Sequence, residues 1–559
     1  MMRTTAVPSY HGAMKPYPSD RLRAADWLAG AVVYNVFPAS FRDSNGDGIG
    51  DLPGITEKLD YISALGANVV WLNPIFDSPF GDAGYDVRDY RAIAPRYGTI
   101  DDFDRLVARA HELDIRVLLD FVPGHTSTEH PWFVASASAD RTPYDNWYVW
   151  TEATFAPLPE NAGGASFING YSDRDGRYLA NFFWFQPALN YGYAHPRAPW
   201  QLPVDHPDVI ALKHEMRSIM RFWLDRGVDG FRVDMASSLI KGSDRGDAMK
   251  AYWRDVRAWF DAEYPHAALV SEWSYPREAI DAGFHVDFLI HIGQTAYNEL
   301  FRMESGSNVF PSNGTSIFRA SGGGHPDRFW DEYEKHYHAT KRTGYISIPS
   351  GNHDFPRISF GRSTAELKSA FLFLLTMPGV PTIYYGDEIG MRHADGLPSK
   401  EGAFNRTAAR TPMQWDQSDN LGFSSTESAG LYLPVDGGPD APVVSEQAND
   451  PASLLSWVKR LIVLRREHPA LGALGHFERA RPVAGEYPLC YLRWSAAERL
   501  LVCVNPTGGQ VEAELVVPWR AGAAESLIGD PDVACEDVAG GVRVVVPAVA
   551  GAVFRMGSG

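Results

Sequence analysis

Cysteine is nearly absent from this sequence: Cys490, Cys503 and Cys535 are the whole supply. Odd in number and without C-x-x-C spacing, they give no metal or redox site and read as core thiols of a reducing compartment. Long apolar runs are lacking too. The longest, "AFLFLLTMPGVPTIYY" (370–385), is broken by Pro378, Gly379 and Pro381 and is too short to cross a bilayer. The opening "MMRTTAVPSYHGAMKPYPSDRL" holds no apolar stretch of signal-peptide length, so the expectation is a cytoplasmic protein with no membrane partner. Positive charge is scarce, 51 Lys and Arg against 69 Asp and Glu for a net −18. That balance speaks against nucleic acid or an anionic membrane, both of which reward basic patches. Repeats and low-complexity tracts are missing as well. A small neutral ligand suits what remains, and nothing in the residues speaks to an oligomeric state.

What is present is ordinary globular material in quantity. At 559 residues and 45% hydrophobic, the chain exceeds one compact domain and has ample core for two or three. From about residue 30, strand-like and helix-like segments alternate, as in βα units on a parallel sheet. Candidate strands fall at 31–41, 67–76, 116–125, 230–236, 268–273, 286–292, 344–354 and 381–390. Helical patterns lie between them, clearest at Thr99 to Asp114, which opens on a Thr cap, and at Pro207 to Gly227. Eight strands predict an α/β fold closed into a (β/α)8 TIM barrel, spanning 1–125 and 206–472. The stretch 126–205, rich in Trp, Tyr, Pro, Gly and Asn, is too long for a βα loop and predicts a small domain inserted after the third strand, over the barrel mouth. Beyond it, Val-rich runs such as "RLLVCVNPTGG" predict a C-terminal antiparallel β-sandwich domain at 473–559.

The stretch "GFRVDMASS" (230–238) poses the functional question. A period of two puts Arg232 and Asp234 on one face of a mostly apolar strand, and buried ion pairs are costly to desolvate. In a parallel barrel the C-terminal strand ends supply the active site. Those ends carry Asp120 and His125, Arg232 and Asp234, Glu272, and His353 with Asp354. Each alone has a structural explanation as a cap or a satisfied core group; their coincidence at strand ends points to one mouth. Separated carboxylates flanked by histidines and an arginine suit glycoside hydrolysis, where one carboxylate attacks the anomeric carbon and another protonates the leaving oxygen.

In this order and spacing, "DFVPGH", "GFRVDMA", "SEW" and "GNHD" resemble the signature regions of the α-amylase superfamily of glycoside hydrolases, over almost the whole chain. The resemblance implies Asp234 as nucleophile, Glu272 as general acid/base and Asp354 as the third carboxylate, holding sugar hydroxyls. Arg232 would bond Asp234 and keep it ionised. His125 and His353 would bind hydroxyls of the sugar being cleaved, and Tyr85 would stack on its apolar face. "DAGYDVRDY" and "ARTPMQWD" resemble the oligo-1,6-glucosidase, α-glucosidase and trehalose synthase branch. There an Asp and an Arg, here Asp82 and Arg410, pair across the pocket and grip the terminal glucose.

Two positions depart from that pattern: Gly124 stands where the branch has Asn, and Ala188 where it commonly has Asp. Both remove polar contacts near the barrel and insertion boundary, which argues against a second calcium there. Met235, after the nucleophile, occupies a place that varies with linkage preference.

"DSNGDGIGD" (43–51) is a separate signal. Oxygen side chains at Asp43, Asn45, Asp47 and Asp51, with a carbonyl near Ile49, alternate as a calcium loop needs. The branch resemblance implies a structural Ca2+ here, with Mg2+ as the alternative occupant. The reading is a retaining exo-acting α-glucosidase for a small neutral α-glucoside or oligosaccharide. The competing readings are a transglycosylase or isomerase of the trehalose synthase kind and a non-catalytic relative kept for partner contact.

Overall fold

The computed structural model describes residues 25–155, 158, 166–169, 172–242, 246–290, 295–301, 316–402, 404–483 and 485–557. The opening stretch examined for a leader lies outside these residues. Eight parallel strands form one sheet: β1 (Val33–Val36), β2 (Val69–Leu72), β3 (Arg116–Phe121), β4 (Gly230–Val233), β5 (Ala268–Ser271), β6 (Val286–Phe288), β7 (Tyr345–Ser347) and β8 (Thr382–Tyr384). They pair in sequence order, and β8 returns to lie beside β1, with Val33 opposite Thr382. A parallel bridge between Pro349 and Thr382 and a 2.9 Å bond between the Ser347 and Thr382 hydroxyls draw β7 to β8 and close the ring.

The strands are shorter than the candidate runs because proline cuts several of them off. Pro38, Pro74, Pro123 and Pro349 stand just past β1, β2, β3 and β7, and none can donate to a ladder. The apolar sequence continues because the segments beyond the strand ends are buried too. Within the ring, Val33, Val69, Trp71, Leu118, Val270 and Phe288 fill the barrel. The alternate residues, such as Tyr34, Val70, Leu119 and Leu269, face the surrounding helices. Strands buried on both faces read as unbroken apolar runs.

The helices start where the chain supplies caps. Helix α1 (Ile100–Glu112) opens on a capping box between Thr99 and Asp102, and α2 (Pro207–Leu224) opens with Pro at its first position and the His206 ring accepting from Asp208 N. Between β3 and α2, a hairpin (Ser166–Asn169 with Arg177–Ala180) and a short helix (Pro131–Ser136) surround a small core of Val149, Leu179, Ala188 and Tyr193. This segment is stitched to the barrel mouth by the backbone bridge of His125 with Ala188 and by Leu189 N donating to Gly124 O (3.0 Å).

The C-terminal segment forms a five-stranded and a three-stranded antiparallel sheet. Leu492, Leu501 and Cys503 of the first pack against Leu515, Val542 and Val544 of the second. All three cysteines lie here; Cys490 and Cys503 are buried cross-strand neighbours with sulfurs 3.2 Å apart. Buried arginines gather around the end of one barrel helix. Arg465 of α4 (Leu454–Glu467) donates to the carbonyls of Leu375 and Met377 (both 2.9 Å), at the end of α3 (Thr364–Thr376). Arg493, from the five-stranded sheet, donates to Thr376 O at the end of the same helix and to Gly472 O (2.7 Å), tying the sheet to the barrel. Such cations at a helix C-terminus satisfy its last carbonyls and its dipole. Among the described residues no helix is long and apolar enough to cross a membrane.

Candidate active site

The question posed by Arg232 and Asp234 resolves at the end of β4. The Arg232 guanidinium is almost wholly buried and touches three carboxylates: Asp120 Oδ1 at 2.8 Å, Glu272 Oε2 at 2.8 Å and Asp234 Oδ1 at 3.1 Å. The last turn of ladder aims them. Asp234 N donates to Phe121 O (2.9 Å) and Glu272 N to Val233 O (3.0 Å), so both acids leave adjacent strands at the same height. β4 ends at Val233, and Met235 takes a left-handed conformation (φ 41°) from which its amide donates to Glu272 Oε2 (3.1 Å). A non-glycine residue in that region carries strain, and such strain gathers at functional sites.

Burial sets the protonation of this cluster. It raises the Asp120 pKa to about 6, against the pull of Arg232. It holds Asp234 well above the usual carboxylate range, helped by the Glu272 carboxyl beside it and opposed by Arg232. Arg232 therefore favours the Asp234 anion, as expected, but in the free enzyme it is outweighed: its two shorter contacts go to Asp120 and Glu272. Asp120 is further held by Tyr85 Oη (3.0 Å) and Trp71 Nε1 (3.2 Å).

Around the mouth, Tyr85 stacks on His353 with ring centroids 5.3 Å apart. Asn73, just past β2, donates to Tyr85 Oη (3.0 Å) and meets His353 Nδ1 at 3.2 Å, leaving Nε2 towards Asp354 Oδ2 (3.4 Å). His125 is placed beside them, but both its nitrogens are committed. Nε2 faces the Tyr85 carbonyl at 3.1 Å and Nδ1 faces Asn181 Nδ2 at 2.9 Å. Burial lowers its pKa to about 3, so the ring is neutral. His125 thus braces Tyr85 in this state, where a sugar-hydroxyl contact was expected. Asn181 also accounts for Gly124: a Cβ there would lie 3.1 Å from the Asn181 amide, which enters from the inserted segment into space that an Asn side chain would need.

The pair expected to close the pocket is rearranged. Asp82 takes Gln186 Nε2 at 2.8 Å and Arg406 Nη2 at 3.4 Å. Arg406 in turn binds Asp354 Oδ1 at 2.6 Å, so one guanidinium bridges both acids. Arg410 lies one turn further on; its Nε donates to His353 O (2.9 Å) and its Nη2 reaches Asp354 Oδ1 at 3.5 Å. Its influence on Asp82 is electrostatic. Burial raises the Asp82 pKa while Arg406 and Arg410 pull it down. Arg406 and Gln186 were missed in the sequence. Arg406 lies in the short 3-10 helix Phe404–Ala409 and Arg410 just past its end, so the loop after β8 brings both back to the mouth.

The 43–51 loop follows β1. Asp43 accepts from Gly46 N (2.7 Å) and Gly48 N (2.8 Å), and Asp51 caps the helix Leu52–Glu57 through Gly54 N (2.6 Å). Asn45 Oδ1 accepts from Asp47 N and Asp47 Oδ1 from Ile49 N, both at 2.9 Å. Among the described residues no three His, Cys, Asp or Glu side chains gather to hold a metal ion. The loop could hold one only by adding Asn45 and the Ile49 carbonyl and turning the exposed Asp47 inward. Its donors are all hard oxygens, which fits Ca2+. Burial and the neighbouring Asp43 both raise the Asp51 pKa, a mutual repulsion a cation would relieve.

Comparison with known proteins sets this geometry in context. Residues 35–473 match the model of the alpha-amylase catalytic domain. The chain is 32% identical over 524 residues to a trehalose synthase/amylase of Mycolicibacterium smegmatis, covering 86% of this chain and 82% of the relative. It is 32% identical over 547 residues to an oligo-1,6-glucosidase of Parageobacillus thermoglucosidasius, covering 86% and 90%. Among solved structures, the trehalulose synthase of Pseudomonas mesoacidophila superposes with a TM-score of 0.76 at 26% identity, over 95% of this chain and 99% of that one.

Proposed function

Because the chain belongs to the alpha-amylase family, we propose that it is a retaining, exo-acting α-glucosidase that removes single glucose units from the non-reducing end of short α-glucosides. That it is an enzyme of the α-glucosidase type follows from the family. The observation that carries the finer reading is the convergence of Asp234 and Glu272 on one guanidinium at the ends of adjacent strands. Two acids bonded to one guanidinium are held as near neighbours, which favours the separation of roughly 5–5.5 Å a retaining pair uses over the wider gap an inverting pair needs for water.

The proton count sets what these roles require. Asp120, Asp234 and Glu272 around Arg232 would carry two uncompensated charges if all were ionised, so the buried cluster keeps a proton. Burial favours that proton on Asp234 in the free enzyme; it passes to Glu272 when substrate binds, to be given to the leaving oxygen while Asp234 attacks the anomeric carbon. Glu272, now a carboxylate, then takes a proton from the water that releases the sugar. Asp354 and Arg410 would hold hydroxyls of that glucose, a role supported by the Arg410 Nη1, which has no protein partner. Arg406, bridging Asp82 and Asp354, would shut the pocket beyond it.

A second reading is isomerisation, in which a sugar resolves the covalent intermediate. It is favoured by the trehalose synthase relative, as similar to this chain as the oligo-1,6-glucosidase. Product analysis on maltose separates the two: glucose alone supports hydrolysis, and accumulating trehalose replaces it with isomerisation. We further propose a structural calcium in the loop of Asp43, Asn45, Asp47, Ile49 and Asp51, supported by its donor set and by the repulsion between Asp43 and Asp51.

A further inference from the structure

Behind the barrel wall, away from the mouth, Asp287 of β6 is wholly buried. Its neighbours Val286 and Phe288 point into the barrel, so alternation turns Asp287 outward, beside Ser271, its register partner on β5. Ser271 Oγ donates to Asp287 Oδ1 at 2.6 Å, and Trp273 N donates to the same oxygen at 3.0 Å. Glu272 is the residue between those two. The next residues are held from the same strand end: Ser274 is left-handed (φ 65°) and its hydroxyl donates to Ile290 O at 3.1 Å. The short helix Pro276–Asp281 then starts at Tyr275 with no side chain of its own capping it.

A buried carboxyl costs several kcal/mol unless hydrogen bonds repay it. Here the groups repaying it are the Ser271 hydroxyl and the Trp273 amide, the residues on either side of Glu272. An apolar residue would fill the same space at lower cost. What it could not do is fix the backbone on both sides of one side chain.

We propose that Asp287 is a positioning residue for the general acid: by holding Ser271 and Trp273 it sets the direction in which the Glu272 carboxyl enters the mouth. This rests on Glu272 being the acid, so the test must separate the two claims. The measurement is kcat/KM on maltose and on α-glucosyl fluoride for the full-length enzyme and its variants. This ratio covers the steps through glycosyl transfer to Asp234, in which the departing glucose of maltose needs a proton and fluoride does not.

Glu272→Gln is expected to lose about a thousandfold on maltose and far less on the fluoride, the usual scale of general acid catalysis. Asp287→Ala should repeat that split at smaller scale, about a hundredfold on maltose and under about fivefold on the fluoride. Asp287→Asn keeps an acceptor oxygen for both donors and should return maltose to within about tenfold of the parent enzyme. Without a split in Glu272→Gln, the acid assignment itself fails. With that split present, equal losses on both substrates in Asp287→Ala overturn the positioning role. Should Asp287→Ala not fold, Ser271→Ala, which removes one of the two bonds, decides: a loss of about threefold or more confined to maltose supports the proposal, and an equal loss on both substrates overturns it.

Discussion

Arg406 makes the direct contact with Asp82 that was expected of Arg410, and binds Asp354 as well. One guanidinium binding two carboxylates presents its donors as a rigid fork, and each charge-assisted bond is worth about 1.5–3 kcal/mol. Arg406→Ala should therefore lower kcat/KM on maltose by roughly tenfold to a few hundredfold. Arg406→Lys should recover little, since a point charge cannot span both acids. A loss under about twofold in Arg406→Ala would remove the bridge from the account. At this scale the sequence is uneven. Arg232, Asp234, Glu272 and Asp354 are legible because they stand at strand ends in recognisable strings. Asn181, Gln186 and Arg406 are not, because their roles arise only where the inserted segment and the loop after β8 fold back over the mouth.

At the scale of elements, the loop after β1 tests how far a ligand pattern can be separated from a turn. Its glycines have a purely steric reason to be there: a Cβ at Gly48 would lie 2.1 Å from Gly430 O, and one at Gly50 would lie 2.1 Å from Pro38 O. The acidic side chains also accept backbone amides, Asp51 as a helix cap, so the exposed Asp47 is the one that tests for a metal. If they hold calcium, binding stabilises the native state by mass action while leaving the mouth untouched. Chelation should then lower the melting temperature before it lowers kcat, and Asp47→Ala should lose the metal and the stabilisation together. Metal content and melting temperature unchanged in Asp47→Ala would leave only a turn. The strands were legible as elements but not in length, because proline stops the ladder while the apolar sequence runs on into buried connections.

Across the whole molecule, the seam where β8 meets β1 is held by Glu388, which accepts from Tyr34 Oη (2.8 Å) and Tyr61 Oη (2.6 Å). Burial raises its pKa from the ordinary 4.5 to about 7. The native state therefore keeps a proton that the unfolded chain gives up, so this group's contribution is fully present below about pH 4.5 and is lost as pH rises through about 7. Glu388→Gln, which cannot ionise, should gain melting temperature relative to the parent between pH 5 and pH 8, and a constant difference would contradict the assignment. Sequence pattern foretold the alternation that builds this closed ring, but not which buried acid would join its first and last strands, since Tyr61 and Glu388 lie far apart in the chain. The central claim concerns what the assembled mouth does. Its most direct test is time-resolved proton NMR of the first products from maltoheptaose. The account predicts α-glucose with maltohexaose, each later product one unit shorter; β-glucose as the first anomer, or early maltose and mid-chain fragments, would contradict it.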